Sequence, residues 1–155
     1  MTERELSIAL REMARVQQKP LCDEWYGEWA DDTNVDSLLD KYVRGFDFVV
    51  ENDYPPLAFI REHFDRETLR SHHIFVDTEE EIDDCASGIY VFLGNCRVRM
   101  NVDGIKAVTV YVRHDSDVEV FASSGAKVFV TYYDKSHGKC ESDGWSKCRR
   151  YDRTL

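Results

Sequence analysis

The chain has 155 residues, of which 32% are charged and 43% hydrophobic, a composition typical of a globular protein large enough to bury a core. Its formal net charge is -10, which argues against general binding to nucleic acids or anionic membranes, because both depend on an excess of Lys and Arg. No apolar run approaches the roughly 20 residues that cross a bilayer, so we expect no membrane association.

Cysteine usage predicts a reducing environment. The chain has five cysteines, and an odd, scattered set is not typical of a disulfide framework. Residues 1–5 open the chain without the apolar stretch of a signal peptide,. We therefore expect a cytoplasmic protein without a disulfide framework. The cysteines are Cys22, Cys85, Cys96, Cys140 and Cys148.

Charge and hydrophobic periodicity both change near Asp84. Residues 1–84 hold 22 Asp and Glu against 9 Lys and Arg, a net charge of -13, whereas residues 85–155 hold 8 against 11, a net charge of +3. The hydrophobic period changes from helical to alternating at the same point. The sequence therefore predicts an α+β chain with an acidic helical unit over 1–84 and a β-repeat unit over 85–155, packed together as one body.

Helix start signals occur repeatedly in the first half. Thr2 and Glu5 form a capping box that predicts a first helix, which ends before Pro20. A second helix is predicted to start at Thr33 and to end near Gly45. Its apolar positions recur with helical spacing at Val35, Leu38, Leu39, Tyr42, Val43 and Phe46,.

The rest of the first half predicts two further helices and a transition to strands. Pro55 and Pro56 suit the first turn of a helix, and Asp65 is a candidate cap for a short one. Residues 73–76 predict a strand. The acidic residues 78–84 predict either a linker or a short capped helix.

The second half repeats itself. Val98, Val108, Val118 and Val128 are ten residues apart within alternating, strand-like segments,. A ten-residue step fits either an antiparallel meander or small barrel, or one side of a two-sided solenoid whose coil has twenty residues.

Residue identity at a twenty-residue distance favours the solenoid, because a solenoid stacks like residues on like. We therefore predict a β-solenoid or β-roll of about three coils, with the meander or small barrel as the alternative. The aligned sets are Cys96, Ser116 and Ser136; Asp103, Ser123 and Asp143; Gly104, Ser124 and Gly144; Val108, Val128 and Cys148; and Tyr111, Thr131 and Tyr151.

Four short motifs resemble a group of proteins from Bacteroidetes genomes and their phages or mobile elements. The resemblance covers most of the chain and implies a helical front half followed by a repetitive β-rich tail. It implies no activity and no catalytic residues. The motifs are Leu21-Cys22-Asp23-Glu24-Trp25, Tyr42-Val43-Arg44-Gly45-Phe46-Asp47-Phe48, Leu93-Gly94-Asn95-Cys96 and Arg113-His114-Asp115-Ser116.

Candidate metal ligands lack the spacing that a metal site needs. His63 and Glu67 lie four residues apart, with His72 and His73 nearby, but a predicted helix break separates them. The acidic residues 79–84 lack the alternating spacing of a calcium loop. We assign no metal-binding or cofactor-binding residues and expect no cofactor.

The tetrapeptide 113–116 contains Arg, His, Asp and Ser, but neighbouring residues of a strand point to opposite faces and cannot form a catalytic triad. We interpret it as a turn with Arg113 and His114 exposed. Trp25, Tyr26, Trp29 and Tyr54 are interpreted as core aromatics more readily than as a binding cluster. We assign no catalytic residues.

These observations favour a non-enzymatic assembly or protein-interaction module that self-associates or binds a protein partner through its β end. The positive charge near the C-terminus supports this hypothesis, because solenoid ends leave backbone groups unpaired. One alternative is an acidic mimic of nucleic acid, and another is an enzyme whose site the sequence does not reveal. The charges are those of Lys147, Arg149, Arg150 and Arg153.

Overall fold

The computed structural model describes residues 2–16, 34–46, 49–50 and 55–153. It divides the chain into two units, Met1–His72 and His73–Leu155. Two strands lie before Asp84, so the second unit includes the acidic residues that the charge pattern grouped with the helices.

The first unit is helical, as predicted. Its capping box is present: the backbone N–H of Thr2 donates to Glu5 Oε2 at 2.7 Å, and that of Glu5 donates to Thr2 Oγ1 at 3.1 Å. Asp65 caps the last helix by accepting from the backbone N–H of Thr68 at 3.3 Å. The helices among the described residues are α1 (Glu3–Val16), α2 (Val35–Arg44), α3 (Leu57–His63) and α4 (Arg66–Ser71).

The cap of α2 differs from the predicted one. Asn34 occupies the cap position, and its Oδ1 accepts from the backbone N–H of Ser37 at 3.2 Å. The predicted cap Thr33 lies outside the described residues, as do the predicted stop at Pro20 and the aromatic residues 25–29 and 54.

The second unit is a parallel β-solenoid. Within the described residues its nine strands form two sheets, with the order β1-β3-β5-β7-β9 in the first sheet and β2-β4-β6-β8 in the second. The chain alternates between the sheets, so each consecutive pair of strands makes one coil. The strands are β1 (Ile74–Val76), β2 (Glu79–Ile82), β3 (Gly88–Leu93), β4 (Arg97–Asp103), β5 (Ala107–Val112), β6 (Asp117–Ser123), β7 (Lys127–Tyr133), β8 (Cys140–Ser142) and β9 (Lys147–Arg153).

Every ladder between these strands is parallel, which confirms the solenoid and contradicts the meander. Val108 pairs with Val128, and Val128 pairs with Cys148, at the predicted twenty-residue step. Tyr111, Thr131 and Tyr151 stack in the same way. The solenoid has four strand pairs followed by β9, one coil more than the predicted three.

The additional coil contains the acidic segment. Glu79–Ile82 forms β2, whereas the sequence predicted a linker or short helix. The strand forms because β4 offers it a partner of opposite charge: Glu79 pairs with Arg97, and Glu81 pairs with Arg99. Tertiary pairing therefore overrides the low strand propensity of glutamate.

The core lies between the two sheets and consists of core columns, meaning residues of successive coils that stack in register and face the interior. Val98, Val118, Val110 and Val130 belong to these columns and are almost completely buried. A buried polar column at one corner supports the turns: Ser116 Oγ accepts from the backbone N–H of Cys96 at 3.1 Å and donates to the carbonyl of Gly94 at 3.0 Å.

Candidate interaction site at the end of the solenoid

The last strand, β9, has one unpaired edge within the described part of the chain. It pairs in parallel with β7 along its whole length, from Lys147 opposite Lys127 to Arg153 opposite Tyr133. The backbone N–H of Lys147 donates to the carbonyl of Ala126 at 2.9 Å. Because the backbone groups of a parallel strand alternate in direction, those of Cys148, Arg150 and Asp152 point to the unpaired edge.

The outward positions of β9 are basic and aromatic. Side chains of a strand alternate between its two faces, and the inward residues here are Cys148 and Arg150. Asp152 follows the same alternation and pairs with Arg150, and the four outward positions are called the basic face below. They are Lys147, Arg149, Tyr151 and Arg153, and all four are exposed.

Aromatic side chains lie beside the basic face. Tyr151 is 46% exposed and Phe129, opposite Arg149 on β7, is 39% exposed. Trp145, in the turn that leads into β9, is 87% exposed. No outward position of β5, β7 or β9 holds Asp or Glu, so the surface combines cations with apolar contact area and lacks anions.

A disulfide closes the core at the same end. Cys140 of β8 and Cys148 of β9 are bonded at 2.08 Å and join the two sheets. The sequence predicted no disulfide framework and gave no indication of this single bond, whereas Cys85 and Cys96 are buried free thiols. The two bonded residues lie in core columns that hold valine one coil earlier, at Val120 and Val128, which brings their side chains together.

Arg150 caps another core column. It takes the register position of Val130, but its guanidinium lies 4.6 Å from the ring centre of Tyr132 and donates to the carbonyl of Gly138. It also donates to both carboxylate oxygens of Asp152, at 3.1 and 3.0 Å. The hydrogen bonds to Asp152 raise the pKa of Arg150. The last coil therefore ends the apolar core with an ion pair and a disulfide.

Gly138 makes room for this arrangement. The Tyr132 hydroxyl donates to the carbonyl of Val118 at 2.6 Å, and burial raises the pKa of this tyrosine. A Cβ on Gly138 would lie 1.9 Å from that carbonyl oxygen and 2.9 Å from the tyrosine hydroxyl, at a φ of +157°. Valine fills the equivalent position of earlier coils, so the missing side chain leaves the space that Tyr132 enters.

The ends of the solenoid carry opposite charge. Residues 77–84 hold six Asp and Glu and no Lys or Arg, whereas residues 147–153 hold four Lys and Arg and one Asp. At the acidic end the carboxylates alternate with cations: Arg99 lies in register between Glu81 and Glu119 and is 3.5 Å from the latter. At the basic end Lys147 and Arg149 form no ion pair with any described residue.

The three histidines considered as metal ligands lie in different environments, and His73 stacks on the ring of Tyr90 with the ring centres 4.2 Å apart. His63 packs against the ring of Phe59 at 4.5 Å. His72 lies between two carboxylates of α2, with its Nε2 2.8 Å from Asp36 Oδ1 and its Nδ1 3.1 Å from Asp40 Oδ1. No group of three or more metal-binding side chains that could hold an ion occurs in the residues described.

The predicted turn at 113–116 is present, but its side chains are placed differently from the prediction. Arg113 is 6% exposed and contacts the carboxylate of Asp134 at 3.2 Å, so the prediction of an exposed arginine is wrong. His114 adopts a φ of 63°, and its Nδ1 accepts from the backbone N–H of Gly94 at 3.0 Å. Ser116 Oγ is occupied in the buried column described above, which leaves no hydroxyl for catalysis.

An open groove of about 490 Å³ lies over β2, β4 and β6. Its walls alternate in charge, because Arg97 and Arg99 lie between the carboxylates of the neighbouring strands. Arg99 lies 3.5 Å from the carboxylate of Glu119, and Arg97 donates to the backbone carbonyls of Cys96 and Asp115. The acidic segment therefore does not form the uninterrupted row of carboxylates that a mimic of nucleic acid would need.

One feature of the site, the pairing of two cysteines, was accessible from the sequence but was not interpreted. Cys140 and Cys148 already occupied valine positions of the ten- and twenty-residue patterns, which predicts that they face one interior. Arg150 could not be assigned, because the alternation that places it inward gives no indication of a cap on Tyr132.

The comparisons with known proteins give no relative for this chain: no family model, curated protein or solved structure matches it. None of the described helices is long and apolar enough to cross a membrane.

Proposed function

We propose that the solenoid is a protein-interaction module that binds an extended acidic segment of a partner protein along β9. The single observation that carries this proposal is the unpaired edge of β9 beside Lys147 and Arg149, which form no ion pair with the residues described. The mode of binding is strand addition, in which main-chain hydrogen bonds supply affinity and alternate side chains supply specificity.

The backbone of β9 supports strand addition. Its unpaired N–H and C=O groups, on Cys148, Arg150 and Asp152, form a template for one more strand. The β7 ladder already holds β9 extended, so a partner meets an ordered edge and the entropy cost of ordering falls only on the partner.

The charges on β9 define the chemistry of the partner. Lys147 and Arg149 are two residues apart on one face, so a neighbouring strand with Asp or Glu at alternate positions places its carboxylates beside them. The second sheet contains the same arrangement internally, where Glu79 and Glu81 lie beside Arg97 and Arg99. The acidic strand β2 is thus an intramolecular example of the segment that we expect β9 to bind.

The aromatic side chains supply contact area. Tyr151 and Trp145 are amphipathic and exposed, and such residues are enriched among those that dominate binding energies. The resemblance to proteins of Bacteroidetes phages and mobile elements suggests where such a module would act, and this stays a prediction.

Binding of a labelled synthetic peptide, measured by fluorescence anisotropy, tests the proposal. The peptide alternates Glu with Val over seven residues, and its control carries Lys at the Glu positions. We expect the full chain to bind the acidic peptide only, with an affinity that falls as salt is added. The double variant Lys147→Glu/Arg149→Glu should bind at least about ten-fold more weakly, whereas Lys135→Glu, which changes an exposed turn lysine elsewhere, should not.

A proline substitution tests strand addition separately from charge. Asp152→Pro removes a backbone N–H at the unpaired edge and leaves the β7 ladder intact, so it should weaken binding more than Asp152→Ala does. Equal binding by both variants contradicts strand addition. If a single-stranded oligonucleotide of matched charge binds as tightly as the acidic peptide, the proposal of a protein partner is contradicted. If the chain alone forms dimers that dissociate in salt, the occupant of the edge is a second copy of the chain.

A further inference from the structure

We propose that the Cys140–Cys148 disulfide is a redox-dependent latch that holds β9 in place, so that the docking edge exists in the oxidised chain and is lost on reduction. As a regulatory mechanism, this inference rests on the proposed function of β9. The latch itself is a property of the fold and can be measured without any partner.

The position of the disulfide makes the last coil depend on it. Val120 and Val128, one coil earlier, have apolar neighbours in the coils on both sides. Cys140 and Cys148 have such neighbours on one side only, because no described strand follows them in either sheet. The covalent bond supplies the cohesion between the sheets that a following coil would otherwise supply.

Apart from the ladder of β9 to β7, the remaining contacts of the last coil are few. Strand β8 has three residues, and its ladder to β6 extends only from Cys140 to Ser142. Strand β9 keeps its ladder to β7, but its residues other than Cys148 are exposed. Local opening is favoured where backbone hydrogen bonds are exposed and apolar contacts are few, so breaking the bond should release β8 and β9 before any other strand.

Both bonded cysteines are half-buried, so a small dithiol can reach them. A thiolate of the dithiol attacks one sulfur, the S–S bond breaks, and a mixed disulfide forms. The second thiol of the reductant then displaces the protein sulfur, giving two protein thiols and an oxidised cyclic reductant. Two electrons and two protons pass to the protein, and a small-molecule disulfide reverses the exchange.

The other described cysteines do not compete in this reaction. Cys85 and Cys96 are buried, and burial raises the pKa of both thiols. Since the thiolate is the reactive form, these residues exchange slowly. Among the described cysteines, the redox response is therefore specific to the last coil.

Hydrogen exchange of the full chain, oxidised and after treatment with dithiothreitol, tests the latch. We expect amides of Lys147–Arg153 to exchange at least about ten-fold faster in the reduced chain, while those of Arg97–Asp103, whose strand pairs with neither β8 nor β9, stay unchanged. The double variant Cys140→Ser/Cys148→Ser should exchange fast with or without reductant, and Cys85→Ser should respond as the native chain does. Unchanged exchange of β9 on reduction overturns the latch.

Peptide binding by the same samples separates the latch from the proposed function. Binding that weakens about ten-fold or more on reduction supports redox control of docking. Equal binding before and after reduction overturns that control. Faster exchange in a chain that binds no acidic peptide when oxidised supports the latch and overturns the proposed function.

Discussion

The first and last coils of the solenoid end the same two sheets with opposite charge and treat that charge differently. In the first coil, Glu79 and Glu81 lie in register beside Arg97 and Arg99, so cations of the next strand lie next to its carboxylates. In the last coil, Arg150 turns inward to close the core, whereas Lys147 and Arg149 face outward and form no ion pair with the residues described. The comparison teaches that charge at a solenoid end divides into a part that closes the fold and a part that is available to a partner.

We expect the largest loss of stability from a substitution at Gly138 in the last coil. Gly138→Ala places a Cβ 1.9 Å from the carbonyl oxygen of Val118, so the backbone must move and Tyr132 must leave its site. We expect the free energy of unfolding to fall by roughly 3 kcal/mol, measured by urea denaturation.

Gly144→Ala is the matched control, because nothing lies within 4 Å of its Cβ position. We expect it to change stability by less than about 0.5 kcal/mol. A similar loss for both variants would show that the last coil lacks the close contact between Gly138 and Val118.

Variants of two neighbouring arginines test whether the charges of the last coil have separate roles in stability and in binding. Arg150→Ala removes the contacts with Tyr132, Gly138 and Asp152, and we expect a loss of about 1 kcal/mol, since the site is partly exposed. Arg149→Ala should leave the free energy of unfolding within about 0.5 kcal/mol of the native value and weaken binding of the acidic peptide. Urea denaturation and anisotropy on the same preparations measure both effects, and an exchange of the two roles contradicts the assignment.

The smallest expected effect concerns the first coil and its neighbours. Arg99→Glu places three carboxylates side by side, with Glu81 and Glu119. We expect a loss of up to about 1 kcal/mol at low salt, because these side chains are exposed. The loss should shrink in high salt, where exposed charges are screened.

Arg99→Gln is the control for this variant, because it removes the cation without adding an anion. We expect it to cost less than Arg99→Glu and to depend less on salt. A loss that does not change with salt contradicts the assignment of the stabilisation to alternating charge.

The sequence predicted the middle coils of the solenoid better than its two ends. Turn residues such as Asp103, Ser123 and Asp143 repeat at twenty residues because each coil makes the same corner: Ser123 Oγ donates to Asp103 Oδ1 at 2.8 Å, and the backbone N–H of Ser124 donates to Asp143 Oδ2 at 3.0 Å. Such repeated contacts leave a periodic trace in the sequence.

The ends were predicted less well because they depart from the period. Glu79 pairs with Arg97 at an eighteen-residue step, not at the twenty-residue step of the later coils. Strand β2 is acidic, whereas the strands of later coils alternate valine with other residues, so the sequence predicted a linker or a short helix in the first coil. Gly138 replaces a core valine because Tyr132 fills its place, a compensation between distant residues. The site on β9 depends on which edge lacks a partner, and local sequence does not contain that information.

The constant register of the middle coils has a consequence for how such a molecule can change. Because each residue of β5 stacks on the residue twenty positions later in β7, a whole coil can be duplicated or deleted without altering the register of the rest. Each such event would move the basic end by about 4.8 Å relative to the acidic end. The distance between the two chemically different ends can thus be changed in steps of one coil, by evolution or by design.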